Sequence, residues 1–200
     1  MMLYEVKRDF GDSAFDFLRV VLPKLKEKRM LSGKIIPVES VTAKEMVKHL
    51  DIDGGIDVWQ IQKGVGMRGI ASRIQWGNKN WNTFTIRKSR TSGAKTEYEK
   101  RMFAIKTGGY LYPFYTIQAY VSQRRVGDLI SVAIAKTKDI FDLIKVGLCY
   151  EKPNGSDGNV FIIVDWEDMF VNNKAIKAWD NTYNELYWED FKIFQKSAVP

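Results

Sequence analysis

GIDVWQIQKGVGMRGIASRIQWGNKNWNTFTIRK, residues 55–88, is the stretch whose reading decides the fold. Ile56, Val58 and Ile61 are the apolar positions of an alternating run bounded by Gly54-Gly55 and Lys63-Gly64, which predicts a strand. Gly69 to Trp76 is a second strand, with Ile70 and Ile74 spaced by four and Ala71 between them. Asn82 to Lys88, rich in Thr, Phe and Ile, is a third. Gly64-Val-Gly66 and Gly77-Asn-Lys-Asn80 supply turn chemistry between them, so an antiparallel three-strand meander is expected over about 55–88.

Helical signals flank this centre. Upstream, Asp12 or Ser13 can cap a helix to about Met30, with Phe15, Leu18, Val21, Leu22 and Leu25 at helical spacing. Pro23 predicts a kink or restart inside it, and Lys34 to Glu39, broken by Pro37, reads as an edge strand or connector. Thr42 and Glu45 form a capping-box pair for a helix over 43–50. Downstream, Thr96 caps a helix to about Lys106 that Gly108-Gly109 ends, and the aromatic, β-branched run Tyr110 to Ser122 is a strand. Leu129 to Ala135 is a strand or the start of a helix through Lys145, and Val160 to Trp166 is a buried strand. Lys174 to Trp179 and Tyr183 to Phe194 read as a helical C-terminal piece. The class is α+β or mixed α/β: a central mixed sheet, with the meander, flanked by helices.

The chain has 200 residues, 45% of them hydrophobic, a size for one domain or one domain with an appendage. No run approaches the roughly 20 apolar residues of a membrane span, and the N-terminal segment lacks the long apolar core of a signal peptide. The single Cys149 excludes an intramolecular disulfide, so an intracellular, reducing, cytoplasmic setting is the expectation. Charge is unevenly placed. Residues 151–200 hold five Lys against nine acids, a balance of −4, while 1–150 hold 26 basic and 15 acidic residues, a balance of +11. The expected division is therefore a basic domain over 1–150 and an acidic C-terminal strand and helix over 151–200, packed on it.

The positive charge concentrates between Lys63 and Lys106, with eleven Lys or Arg against Glu97 and Glu99. Cations interleaved with flat aromatics suit a polyanion with stackable faces, which points to nucleic acid, DNA before RNA. Trp76 and Trp81, flanking Gly77-Asn-Lys-Asn80, are candidates for stacking on bases. Arg87, Lys88 and Arg90 are candidates for riding the phosphate backbone. Walker-type and Gly-x-Ser-x-Gly motifs are absent. One His and one Cys leave metal chemistry to carboxylates and amide oxygens, hence Mg²⁺ or Mn²⁺. Asp51 and Asp53 fit a turn, whereas Asp57 falls within an apolar alternation, where an acid is costly unless it binds something.

This pattern resembles the PD-(D/E)XK nuclease superfamily over about residues 12–122. Gly55-Ile-Asp57 stands where that family carries its Asp strand, and Gly69-Ile-Ala-Ser-Arg-Ile-Gln75 where it carries Glu-x-Lys, with Gln75 in the acidic position. Thr83 to Arg87 and the helix from Thr96 follow in the family's order. The resemblance implies phosphodiester hydrolysis, with Mg²⁺ or Mn²⁺ on Asp57 and Gln75 and the missing Lys replaced by Arg73, Lys79 or Lys100. Glu5, Asp9, Asp12 or Asp16 could add an acid. A metal-dependent, endonuclease-like nucleic-acid-binding protein is the first expectation. The alternatives are a non-catalytic nucleic-acid binder, or an inhibitor or interaction module whose basic face meets an acidic partner.

Overall fold

The computed structural model describes residues 11–38, 54–64, 66–90, 93–109, 111–125, 127–155 and 158–182, and the backbone of 185–187. Residues 11–27 form helix α1, whose Phe17–Val21 segment is a π turn that passes into the α-helical Leu22–Glu27. The wider turn lies just before Pro23, which then occupies the opening of the new α-helical register, where no donor is needed. Strand β1 (Lys34–Pro37) follows as an edge, a position that tolerates Pro37. The helix expected over 43–50, with His49, and the turn carrying Asp51 and Asp53 lie outside the described residues.

Strands β2 (Val58–Gln62) and β3 (Gly66–Trp76) form the expected hairpin, with Val58 opposite Ile70 and Gln62 opposite Gly66. The third strand of the meander does not join them. β4 (Thr83–Arg87) enters a separate three-stranded sheet, and the free edge of β3 is taken by β5 (Tyr115–Val121) in parallel register. Gly77 (φ 131°) and Asn82 (φ 48°) turn the chain out of the first sheet, and the Gly77 amide caps β5 through the Val121 carbonyl at 3.0 Å. Buried Phe84 and Ile86 on β4 then need a second layer to pack against.

Helix α2 (Glu97–Thr107) occupies the crossover between β3 and β5. It begins in a complete capping box between Thr96 and Glu99 and ends at left-handed Gly108. β6 (Leu129–Lys136) runs directly into α3 (Thr137–Lys145), so both readings of that stretch are realised in turn. β7 (Tyr150–Pro153), β8 (Val160–Asp165) and α4 (Trp166–Val171) follow. The helix expected at 174–179 is strand β9 (Ile176–Asp180), with β10 (Glu185–Tyr187) beside it. Buried Ile176 and Ala178 alternate along β9, and β6 offers an open antiparallel edge, so pairing overrides helical propensity. The remainder of the expected C-terminal helix is outside the described residues.

The main sheet runs β1-β2-β3-β5-β6-β9-β10, and the second runs β4-β8-β7. All pairs are antiparallel except β3 with β5, which makes the fold α+β around a mixed sheet. On one face of the main sheet, Phe17, Val21 and Leu25 of α1 pack on Val58, Ile70, Ile74, Ile117 and Val132. On the other, Tyr120, Ala133, Ala135 and Ala178 meet Phe84, Ile86, Ile162 and Val164 of the second sheet, with α3 and α4 closing the core. Small alanines on the strands let the second layer approach closely. Residues 151–180 thus contribute strands to both sheets.

Candidate functional site

Side-chain alternation on β3 sends Ile70, Ile74 and Trp76 to the α1 face, which leaves Ala71, Arg73 and Gln75 facing β4 and α2. Arg73 reaches across: its Nη1 donates to the Thr85 carbonyl at 3.2 Å and its Nη2 lies 3.5 Å from Glu97 Oε1. The Arg87 amide lies 3.5 Å from the other Glu97 oxygen. Both guanidiniums stand over the Phe161 ring, at 4.9 Å for Arg73 and 5.6 Å for Arg87. One turn further along α2, Arg101 is buried at 5% exposure, with Glu97 and Asp57 as its attracting charges and Arg73 as a repelling one. Its Nε makes no hydrogen bond among the described residues, and its guanidinium lies beside the left-handed Gly55 (φ 62°).

Asp57 sits one residue before β2 and is held to β3: its Oδ2 accepts from the Ser72 amide at 2.5 Å. The recess therefore gathers three guanidiniums, Arg73, Arg87 and Arg101, around two carboxylates, Glu97 and Asp57. Burial alone would raise the Glu97 pKa. The three arginines and the Arg87 amide outweigh it and hold the carboxyl at about 2. Burial likewise pushes the Arg101 pKa down, with Glu97 and Asp57 opposing. Sequence reasoning missed Glu97 and Arg101 as site residues. Their i, i+4 spacing on a capped helix put both on one face, which was the available signal.

The structure does not bring Asp57 and Gln75 together. Asp57 is fixed at Ser72, and Gln75 lies three residues further along β3, where its Oε1 accepts from Gln118 Nε2 at 3.2 Å. Strand rise separates those positions by about 10 Å, with Arg73 between them, whereas ligands of one Mg²⁺ stand about 2 Å from the ion. Among the described residues no group of three or more His, Cys, Asp or Glu is placed to hold a metal, and guanidiniums beside Glu97 and Asp57 oppose a second cation. The described donors do not fit the ligand pair the resemblance implies.

No family model, curated protein or solved structure matches this chain.

The remaining expected residues fall in three places. Lys79 and Trp81 share the β3–β4 loop, at the end of β3 away from Asp57, and Trp81 is 50% exposed. Lys79 Nζ stands 5.4 Å from its ring centroid and Lys152 Nζ 4.6 Å, so an open indole is flanked by two ammonium groups. Trp76 is differently employed: its Nε1 donates to buried Asp16 at 2.7 Å and Arg124 lies 4.3 Å over its ring. Asp16 also accepts from the Arg125 amide at 3.1 Å, and Asp12 pairs with Arg124 and Arg125, so both acids tie α1 to the β5–β6 turn. Glu5 and Asp9 are outside the described residues. Lys88 pairs with Glu151 between β4 and β7, and Arg90 follows half-buried, its Nε without a hydrogen bond. Lys100 is half-buried on α2, three residues on from Glu97. Trp166 and Trp179 are buried core residues and Trp59 packs half-buried against Val38 and Ile56; Trp188 is outside the described residues. No helix among the described residues is long and apolar enough to cross a membrane.

Proposed function

We propose that this protein binds nucleic acid, DNA before RNA, along the side of the molecule formed by the arginine recess and the β4 strand that follows the Trp81 loop. The observation that carries the reading is the recess itself, where three guanidiniums outnumber two carboxylates in partly desolvated surroundings. A planar guanidinium oriented by its neighbours recognises a phosphodiester through paired N–H donors, more strongly there than in open water. Trp81 between Lys79 and Lys152 adds an aromatic platform with cations beside it, the combination that holds an unstacked base. Fluorescence anisotropy with labelled single-stranded and duplex 20-mers at several salt concentrations tests the proposal. Charge reversal of Arg87 and Arg90 together weakens binding across all sequences alike. Unchanged affinity and unchanged salt slope in that variant would move the interface elsewhere.

Hydrolysis of the bound phosphodiester is the second reading, and Asp57 is the observation that favours it. It is a carboxylate within reach of the recess arginines, tied to strand β3 by the Ser72 amide although it precedes β2. A divalent ion there, Mg²⁺ or Mn²⁺, would need its other protein ligands from outside the described set. Cleavage assays on single-stranded, duplex and branched DNA and on RNA, with each ion, separate this from binding alone.

A further inference from the structure

The opposite face of the main sheet holds a second site. Where the end of α1 meets β2, β5 and β6 there is a cavity of about 170 Å³ whose lining includes Gln60, Tyr115, Ile134 and Lys136, with Arg29 to Leu31 along one side. Gln60 is buried at 4% exposure. Its Nε2 donates to the Ser32 carbonyl at 2.8 Å, which fixes the amide's orientation, and leaves its buried Oε1 with no hydrogen-bond partner among the described residues. A buried acceptor left unpaired carries its desolvation cost uncompensated, so an N–H donor entering the cavity recovers it.

Arg29 is the second observation. Helix α1 ends with the Met30 amide on the Leu25 carbonyl at 2.8 Å and the Arg29 amide on Lys26 at 3.0 Å, which places Arg29 at the left-handed position with φ 54°. Glycine is the residue of least cost at that position, because a Cβ there crowds the following carbonyl oxygen. Here the strained residue carries a cation to the cavity wall. Lys136 lines the same cavity, and Tyr115, whose hydroxyl accepts from Arg68 at 3.1 Å, retains its own proton to donate. Met30, Leu31 and Ile134 supply apolar wall. A cavity of about 150 Å³ holds a benzene ring. At about 170 Å³ this one has the volume for a heteroaromatic base.

We propose that this cavity is a mononucleotide site: Gln60 Oε1 accepts from an N–H on the base edge, and Arg29, Lys136 and Tyr115 hold the phosphate. The inference is independent of the arginine recess, which lies on the other face of the sheet.

Isothermal titration calorimetry on the full chain with AMP, GMP, CMP and UMP, and with the matching nucleosides and inorganic phosphate, tests it. At least one nucleotide binds with Kd on the order of 1 mM or tighter, and its nucleoside and phosphate each bind at least about tenfold more weakly. Arg29→Gly gives a double readout, because relief of the left-handed strain raises the melting temperature while nucleotide affinity falls at least about fivefold. A variant with Arg87→Ala and Arg90→Ala keeps full nucleotide affinity. The proposal is overturned if no nucleotide saturates by about 10 mM, or if Arg29→Gly raises the melting temperature without changing affinity. Loss of nucleotide binding in the Arg87/Arg90 variant would overturn it too.

Discussion

Glu97 is the residue on which the recess turns, because a single carboxylate holds Arg73, Arg87 and Arg101 near one another. Its folded pKa of about 2 lies below the ordinary 4.5, so between those values the unfolded chain takes up a proton that the folded carboxylate refuses. The resulting stability is fully present above about pH 4.5 and is lost as pH falls toward 2. Glu97→Gln should flatten that part of the acid-unfolding profile and cost on the order of 2 kcal/mol at neutral pH, since the arginines lose their central counter-charge. Urea titrations of both proteins at pH 7 and pH 3 check the sign: the gap between them narrows at the lower pH. Asp57→Asn is a milder change, because the amide oxygen can still accept from Ser72. The variant is expected to keep its fold, to bind DNA as well as or better than the parent through reduced repulsion of phosphate, and to lose any metal-dependent cleavage. Gel-shift and plasmid-nicking assays on the two proteins read those outcomes separately.

At the scale of elements, the β3–β4 loop and α2 bring different groups to the same side of the main sheet. Trp81 is half exposed and its loop gives no side chain to either hydrophobic core among the described residues, so Trp81→Ala should leave the melting temperature within about 1 °C. It should weaken single-strand binding by about 1–3 kcal/mol, more than duplex binding, because only an unpaired base can reach the ring. The β2–β3 hairpin, the Thr96 cap of α2 and its glycine stop were legible in the sequence because each is a local rule acting within a few residues. The pairing of β4 was not: its alternation fixed that it is a strand, while the choice between β3 and β8 depends on which edges β5 and β7 have already taken. β9 was misread for the same reason, as Ile176 to Asp180 becomes a strand through the β6 edge more than forty positions upstream. Asp57 stood out in the sequence as an acid in need of a partner; the Ser72 amide holds it from across the hairpin, while the opposite charge of Arg101 reaches it through the placement of α2, which no spacing rule encodes.

At the scale of the whole molecule, the arginine recess and the Arg29 cavity lie on opposite faces of one sheet, and salt should report on the first if it binds DNA as proposed. The DNA-binding constant is expected to fall with added salt by about 0.9 log units per log unit for each phosphate neutralised. Replacing Arg87 and Arg90 with Ala should reduce that slope by up to about two phosphate equivalents. Anisotropy titrations from 50 to 300 mM NaCl would show whether the slope changes; an intact slope would mean that neither arginine touches the backbone.

The partner of β4 is β8, and the two strands are separated in the chain by α2, β5, β6, α3 and β7. Phe161, on which both Arg73 and Arg87 rest, belongs to that late strand. On a ribosome adding roughly 5–20 residues per second, the main-sheet hairpin can form several seconds before β8 emerges. The arginines then wait without the ring that seats them and without the strand that aligns β4. If the recess binds nucleic acid as proposed, a growing polypeptide of this sequence cannot present the assembled site until β8 has emerged, which keeps a cationic nascent chain from settling on ribosomal or messenger RNA through a prematurely completed recess.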